Sequence, residues 1–139
     1  MRRVEAGGNV VTILVSAEES DGAVGIIEYQ PKPGPTPGAP HHHTRESWSA
    51  FVLEGRARIR LEDSPRELRR GDVVHVPRGR AFQWEEAEEG TRMLFVYTPG
   101  GFERYFVEIA ELFGTGRPFA ELLPRIVALS EKYGIERQS

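Results

Sequence analysis

The stretch HHHTRESWSAFVLEG, residues 41–55, decides the fold of this chain. It opens with three consecutive histidines and runs into an apolar segment that ends at Gly55. In an extended backbone, residues two apart point to the same side, so His41 and His43 face one way and His42 faces the other. Two imidazoles on the same side of the strand can coordinate a single metal ion. An isolated His-x-His pair is equally compatible with a solvent-exposed histidine run.

Short runs of strand-forming residues lie on both sides of that stretch, separated by turn residues, which is typical of a sandwich or a barrel. Residues 31–40, PKPGPTPGAP, carry too much proline for a helix or a central strand and are predicted to be an extended loop. A turn is predicted at residues 63–65. We predict strands over residues 10–15, 23–29, 48–53, 56–62, 73–76, 80–85 and 93–98.

The segment 56–62 alternates strictly between small or apolar residues and arginines, which predicts a half-buried antiparallel strand. Arginines on one strand face are costly to bury without partners. We therefore expect that face to lie in solvent or against acidic residues such as Glu85 and Glu86.

The chain after residue 101 has the apolar spacing of helices. Aromatic and aliphatic residues recur at helical intervals over residues 102–113, with charged residues opposite them. A second helix is predicted from Pro124, where proline suits a first turn, to Gly134. The aromatic residues of the first helix, Phe102, Phe106 and Phe113, are expected to pack in the core or to face a second subunit.

Composition restricts the class of protein. The 139 residues carry a net charge of −3 and no cysteine, so thiolate metal sites and thiol catalysis are excluded and nucleic acid is not expected as the main partner. No apolar run is long enough for a membrane helix, so no membrane association is expected. Residues 1–5 are basic, without the apolar core of a signal peptide, so we expect a cytoplasmic protein.

Several of these segments resemble the cupin family. Phe51-Val52-Leu53-Glu54-Gly55 is similar to the end of the first cupin motif, and five residues separate Gly71 from Pro77-Arg78-Gly79 as in the second. The likeness extends over residues 25–136 and is closest to the small quercetinase-like cupins. It implies a mainly β fold: a single cupin domain over residues 1–139, with a jelly-roll barrel over about 10–99 and two C-terminal α-helices over about 102–134. It also implies a central pocket and a dimer.

The departures from the family pattern concern the metal ligands. The family's glutamate position holds Trp48, its second-motif histidine position holds Phe82, and its asparagine position holds Glu86. Of the four ligands that the resemblance implies, His41 and His43 remain. Aromatic rings cannot coordinate a metal, and the side chains of Trp48 and Phe82 are large enough to fill part of the cavity.

The sequence therefore predicts an apolar ligand pocket whose lining includes His41, His43, Trp48, Phe82 and Trp84. In the leading hypothesis the protein has a degenerate metal site, needs no cofactor, and binds a small apolar or aromatic molecule.

A metal-dependent dioxygenase or isomerase of the quercetinase-like kind is the alternative. A divalent ion (Fe, Mn, Ni or Zn) would then be held by His41, His43 and Glu46. For Glu46 the competing interpretation is a surface carboxylate beside Arg45. His75 is a further candidate ligand, although a strand histidine that faces solvent explains it more simply.

A third hypothesis is a dimeric scaffold without a ligand. The segments 10–15 and 93–98 are apolar on both faces, so one face needs a cover beyond the barrel core. Two helices are too small a cover for two sheets, and a homodimer is therefore expected.

Overall fold

Two antiparallel sheets form the body of the molecule. The computed structural model describes residues 1–36 and 38–137. One sheet has the order β1-β2-β3-β11-β6-β9 and the other the order β12-β5-β10-β7-β8, with β4 paired to β10. The elements are β1 (Arg2–Ala6), β2 (Asn9–Val15), β3 (Gly25–Gln30), β4 (Gly34–Pro35), β5 (His41–His43), β6 (Ser47–Glu54), β7 (Arg56–Leu61), β8 (Ser64–Arg69), β9 (Val73–Val76), β10 (Phe82–Ala87), β11 (Arg92–Thr98), α1 (Glu103–Gly114), α2 (Phe119–Lys132) and β12 (Ile135–Arg137).

The core lies between the two sheets and follows from the alternation in their strands. In β11, Met93, Phe95 and Tyr97 are buried, whereas the residues between them are only half-buried. The facing sheet contributes Ile59 of β7 and its neighbours to the same apolar cluster. The predicted jelly-roll architecture with two C-terminal helices is confirmed.

The arginine face of β7 points away from this core and is neutralised by acidic side chains. Arg58 lies 2.8 Å from Glu86, and Arg60 lies 3.3 Å from Glu85. Arg56, the third arginine, pairs with glutamates of β8 and of the β10–β11 turn. The prediction that this face meets Glu85 and Glu86 is confirmed.

The second helix starts earlier than predicted. It begins at Phe119, after Pro118 at its N-cap, and Pro124 lies inside it. A proline there removes one helical hydrogen bond. Burial of Leu122, Ile126 and Leu129, each at most 8% exposed, stabilises the extra turn against that loss.

Four strands, β1, β4, β8 and β12, were not predicted, and the two residues of β4 lie within the predicted loop 31–40. The predicted turn at 63–65 is displaced, because the chain turns at Glu62 and Asp63, with Glu62 at φ 54°, and Ser64 already belongs to β8. Only Leu68 of β8 is buried, so the strand has no apolar alternation to reveal it. Pro65 is tolerated there because β8 is at the edge of its sheet.

A buried carboxylate joins the start of α1 to the barrel. Glu103 is 1% exposed and accepts hydrogen bonds from the backbone N–H groups of Ala17 and Gly101, both at 2.7 Å. A side chain at Gly25 has no room, since its Cβ would lie 2.1 Å from Oε1 of Glu103. The helix is thus fixed over one end of the sheets.

Within residues 1–36 and 38–137, no helix is both long and apolar enough to cross a membrane.

Candidate functional site

A cavity of about 320 Å³ lies between the sheets and extends to the inner face of α1. This volume is at the small end of the range of roughly 300–1,000 Å³ for ligand pockets. Its lining is mostly aromatic: Tyr29, His41, His43, Trp48, Phe82, Trp84, Phe95, Tyr97, Phe102, Tyr105, Phe106 and Phe113, with Val4, Ala6, Asn9, Val11, Thr36, Ile109 and Ile135. The five pocket residues predicted from the sequence all belong to this lining.

The histidines reach the cavity from β5, as the extended backbone predicts. His41 and His43 both line it, whereas His42 points outward and lies 3.2 Å from Glu136 of β12. On one side β5 pairs with β10, where His41 lies opposite Phe82. On the other side β12 pairs with all three histidines, so Ile135 lies opposite His43.

Each of the two cavity histidines has its Nδ1 atom engaged by the protein. Nδ1 of His41 lies 3.1 Å from the carbonyl oxygen of Ala39. Nδ1 of His43 lies 2.9 Å from Oε2 of Glu46, and both of these side chains are buried. Nε2 is therefore the nitrogen of each ring that can meet a ligand. Burial lowers the pKa of His41 below its ordinary value, which favours the neutral ring.

The two aromatic replacements stand against these histidines. The ring centroid of Phe82 lies 4.5 Å from that of His41 and 5.5 Å from that of His43. Trp48 is 4.8 Å from Phe82 and 6.2 Å from Trp84. Two aromatic side chains thus line the cavity at positions that the resemblance assigns to metal ligands.

A second group of cavity aromatics was not predicted as site residues. Tyr97 faces inward by the alternation of β11, and its ring is parallel to that of His43, at an interplanar angle of 4° and a centroid distance of 6.4 Å. Burial raises the pKa of Tyr97 well above its ordinary value and the pKa of Tyr29 to about 12, so both phenols are neutral at physiological pH.

The aromatic face of the first helix packs in the core, as expected, and also borders the cavity. Phe102 belongs to the core between the sheets, Phe106 and Phe113 pack against core clusters, and all three line the cavity. Phe102 lies with its ring centroid 4.3 Å from that of His43. The helical spacing of the apolar residues predicts this face. The position of the face relative to the cavity depends on the topology of the fold, which the spacing does not give.

One polar atom among these aromatics has no partner. The indole Nε1 of Trp48 is buried, and no hydrogen-bond acceptor for it exists among residues 1–36 and 38–137. Trp48 itself is 2% exposed. The indole N–H of Trp48 is therefore a buried donor that no acceptor among the described residues satisfies.

The cavity adjoins a smaller one of about 200 Å³, with which it shares His41, Trp84 and Tyr105. The smaller cavity is also lined by Gln83 and by Arg137 of β12. Burial raises the pKa of Tyr105, and a hydrogen bond with Ser130 and the charge of Arg137 partly oppose that rise. The outer end of the site thus carries a positive charge.

The residues present do not fit the four-ligand metal site that the cupin resemblance implies. Trp48 and Phe82 offer no donor atoms, and Oε2 of Glu46 is hydrogen-bonded to Nδ1 of His43. Across residues 1–36 and 38–137, no three His, Cys, Asp or Glu side chains are grouped so as to hold a metal ion.

The remaining metal candidates are placed differently. Glu46 is buried, so the alternative of a surface carboxylate beside Arg45 is wrong. His75 is exposed on the outer face of β9 and lies 2.8 Å from Oγ of Ser49. It is not part of the cavity lining, and the solvent-facing interpretation of His75 is confirmed.

Comparison with known proteins agrees with the architecture. A family model described as "Cupin domain" matches residues 26–97, slightly more than half of the chain. A protein of Aquifex aeolicus (strain VF5), described as uncharacterized, is 27% identical over 64 residues, which cover 46% of this chain and 53% of the relative. The chain thus spans about half the length of the relative that it matches.

Solved structures resemble the chain in fold at low sequence identity. KdgF from Halomonas sp. has a TM-score of 0.64 at 17% identity, covering 75% of this chain and 93% of that one. The nucleoside dehydratase Pac13, from Streptomyces, has a TM-score of 0.58 at 16% identity, over 74% of this chain and 79% of that one. Ectoine synthase from P. lautus has a TM-score of 0.60 at 13% identity, over 71% of this chain and 70% of that one.

Proposed function

This chain belongs to the cupin family, and we propose that it binds a small apolar or aromatic molecule in its barrel cavity without the family's four-ligand metal site. The neighbours in fold include a nucleoside dehydratase and an ectoine synthase, so the fold alone selects no function. The proposal therefore rests on the cavity itself.

The observation that carries the proposal is the replacement of two ligand positions by aromatic rings in contact. Trp48 and Phe82 meet at 4.8 Å between ring centroids, in an edge-to-face arrangement. Such a wall favours flat apolar ligands, because burial of their surface is the main source of affinity. The two histidines add Nε2 atoms that can orient a polar group.

Calorimetric titration with 1-methylnaphthalene tests this proposal. We expect a dissociation constant of roughly 10–100 µM, in keeping with the affinity that so few ligand atoms can supply. Phe106→Trp enlarges a cavity side chain and should weaken binding about tenfold or more. Leu123→Ala, at a 43% exposed residue of α2, is the matched control and should leave binding unchanged. Absence of binding to the unmodified protein contradicts the proposal.

A second candidate function, a metal-dependent dioxygenase or isomerase, is favoured by one observation. Both cavity histidines present Nδ1 to a protein acceptor, and metal-binding histidines are commonly held in this way. In that case Glu46 orients His43. Elemental analysis of protein purified without an affinity tag separates the candidates. Stoichiometric iron, manganese, nickel or zinc that is lost in His41→Ala supports the second; less than one ion per chain supports the first.

We also propose that the chain forms a homodimer through the outer face of the β1–β9 sheet. Phe51 of β6 is 38% exposed and Val73 of β9 is 56% exposed on neighbouring strands of that sheet. An apolar patch on a sheet face is a common basis of twofold interfaces. A scaffold function without a ligand requires this interface and an empty cavity, so the calorimetric titration also tests it.

A further inference from the structure

We infer that the ligand of the barrel cavity is an aromatic molecule that carries a hydrogen-bond donor, such as a phenol or an aryl amine, and that this donor binds Nε2 of His41 or His43. The inference rests on the proposed binding function and adds the chemical class of the ligand to it. The evidence is the way in which the protein occupies the other nitrogen of each imidazole ring.

The partner of each Nδ1 atom determines where the neutral ring has its hydrogen. Nδ1 of His41 lies 3.1 Å from the carbonyl oxygen of Ala39, and a carbonyl oxygen can only accept. Nδ1 of His43 lies 2.9 Å from Oε2 of Glu46, and a carboxylate can also only accept. Each Nδ1 is therefore the donor, so Nε2 of the neutral ring has a free lone pair. Both histidines present hydrogen-bond acceptors rather than donors to a ligand.

Nε2 of His43 is open to the cavity instead of enclosed by protein atoms. Within residues 1–36 and 38–137, the side-chain polar atoms that are both enclosed and without a partner are Nε1 of Trp48 and Oε1 of Glu85. Nε2 of His43 is not one of them, although no described residue hydrogen-bonds to it. A water-sized molecule can therefore reach this atom. Because His43 lines the cavity and is 5% exposed, the approach is from the cavity.

The rings around His43 do not supply a donor to this atom. The ring centroids of Phe82 and Phe102 lie 5.5 and 4.3 Å from that of His43, and neither side chain has a polar atom. Tyr97 is parallel to His43 and its hydroxyl does not hydrogen-bond to that ring. An apolar ligand that fills the cavity excludes water from Nε2 and leaves the acceptor unpaired, which costs affinity. A ligand with an O–H or N–H group pairs the acceptor and avoids that cost.

The first test is calorimetric titration with 1-naphthol and 1-methylnaphthalene, which are nearly equal in shape and differ in the donor. The protein is freed of metal with a chelator, because a metal ion would occupy the same nitrogen atoms. The measured quantity is the ratio of the two dissociation constants. His41→Leu with His43→Leu removes both acceptors and should shift this ratio against 1-naphthol by roughly five- to tenfold. His75→Leu, at an exposed histidine outside the cavity lining, is the matched control and should leave the ratio unchanged.

Two further ligands separate the donor from the other properties of the hydroxyl group. 1-Methoxynaphthalene keeps the oxygen but has no donor, and 1-aminonaphthalene has an N–H donor without the oxygen. We expect the double variant to weaken 1-aminonaphthalene as it weakens 1-naphthol, and to affect 1-methoxynaphthalene as it affects 1-methylnaphthalene. The single variants His41→Leu and His43→Leu identify which ring binds the donor.

A second measurement leaves the cavity histidines in place, so it does not depend on the folding of the double variant. In nitrogen NMR of protein with isotopically labelled histidine, a ring nitrogen without hydrogen is readily distinguished from an N–H nitrogen. We expect Nε2 of His41 and His43 to be without hydrogen in the ligand-free protein at neutral pH. 1-Naphthol should shift at least one of these signals toward the N–H position, whereas 1-methylnaphthalene should not. His42→Gln and His75→Gln assign the signals of the other two histidines.

The outcomes separate the two proposals. A ratio that does not change in the folded double variant, or that changes as much in His75→Leu, overturns this inference while the cavity still binds aromatic molecules. Binding of 1-methoxynaphthalene with the same histidine dependence as 1-naphthol assigns the preference to the oxygen and also overturns it, as does an Nε2–H signal from both cavity rings in the ligand-free protein. Failure of all four ligands to bind the unmodified protein overturns the proposed function itself.

Discussion

Restoring the two lost ligand types should convert the aromatic cavity into a metal site. The double variant Trp48→Glu with Phe82→His places a carboxylate and an imidazole beside His41 and His43. The rings at these four positions now lie 4.5–6.2 Å apart between centroids. Zinc–nitrogen bonds are about 2.0–2.1 Å long, so imidazoles that share one ion have centroids about 5–6 Å apart. The two imidazoles that the variant retains, those of His41 and His43, are 5.9 Å apart between centroids, so this pair already has the required spacing.

The size of the effect follows from what each change removes. Trp48 is 2% exposed and lies among other aromatic rings, so its removal should lower the free energy of unfolding by about 3–5 kcal/mol. Burying a carboxylate without a partner lowers the free energy of unfolding further. Domains of this size are stable by about 5–15 kcal/mol, so the metal-free variant should be close to unfolding. A metal ion at a concentration a thousand times its dissociation constant raises the free energy of unfolding by about 4 kcal/mol.

The assay is thermal unfolding with and without nickel or zinc. We expect the melting temperature of the double variant to rise by roughly 10–20 °C in the presence of metal, and that of the unmodified protein to change little. Trp48→Gln with Phe82→Leu is the matched control, similar in size but without the carboxylate and the imidazole. Equal melting temperatures with and without metal in a folded double variant would show that the family's ligand positions are wrongly assigned to Trp48 and Phe82.

Three further predictions concern the tyrosines, the base of α1 and the oligomer. All four tyrosines have pKa values raised above the ordinary value near 10, largely by burial, so absorbance titration of the native protein should show none with a midpoint near pH 10. The pKa of each tyrosine is higher in the folded than in the unfolded state, so the tyrosines' contribution to the free energy of unfolding is complete below pH 10 and falls as the pH rises further. A free energy of unfolding that stays constant above pH 10 contradicts this. Glu103→Gln should lower the free energy of unfolding, measured in urea, by roughly 1–3 kcal/mol, because one of the two backbone N–H groups loses its acceptor. Glu111→Gln, at an exposed residue, is the control and should change the free energy of unfolding by less than about 0.5 kcal/mol. Sedimentation should give a mass of about 31 kDa, twice the 15.6 kDa of the chain, and Phe51→Glu should give the monomer; a monomer at micromolar concentration in the unmodified protein refutes the dimer.

The parts of the fold that the sequence predicts are those with a repeating burial pattern. The strand β9 begins and ends where its pattern predicts, and β7 is revealed by arginines that alternate with buried residues. β12 has three residues, of which Ile135 is half-buried and the others exposed, so its pairing with β5 comes from tertiary contacts alone. Pro124 misled the prediction of α2, since packing of Leu122 outweighs the preference of proline for a first turn.

The candidate site could be predicted only in part for a related reason. His41, His43, Trp48, Phe82 and Trp84 follow from the family's motif spacing and from strand alternation. The hydrogen bond between Glu46 and His43 depends on the turn before β6, which the sequence pattern does not fix. The position of the aromatic face of α1 over the cavity depends on how the helix returns to the barrel.

The strand that carries the cavity histidines is completed by a distant part of the chain. Thr44, just after β5, hydrogen-bonds through both its N–H and its hydroxyl to Gly134, 90 residues later in the sequence. β12 then pairs with His41, His42 and His43 in turn. During synthesis, therefore, the site cannot assume its final geometry until residues 134–137 have left the ribosome, long after the barrel strands have emerged. A nascent chain arrested before that point would leave β5 paired with β10 alone, and one edge of the histidine strand would stay open.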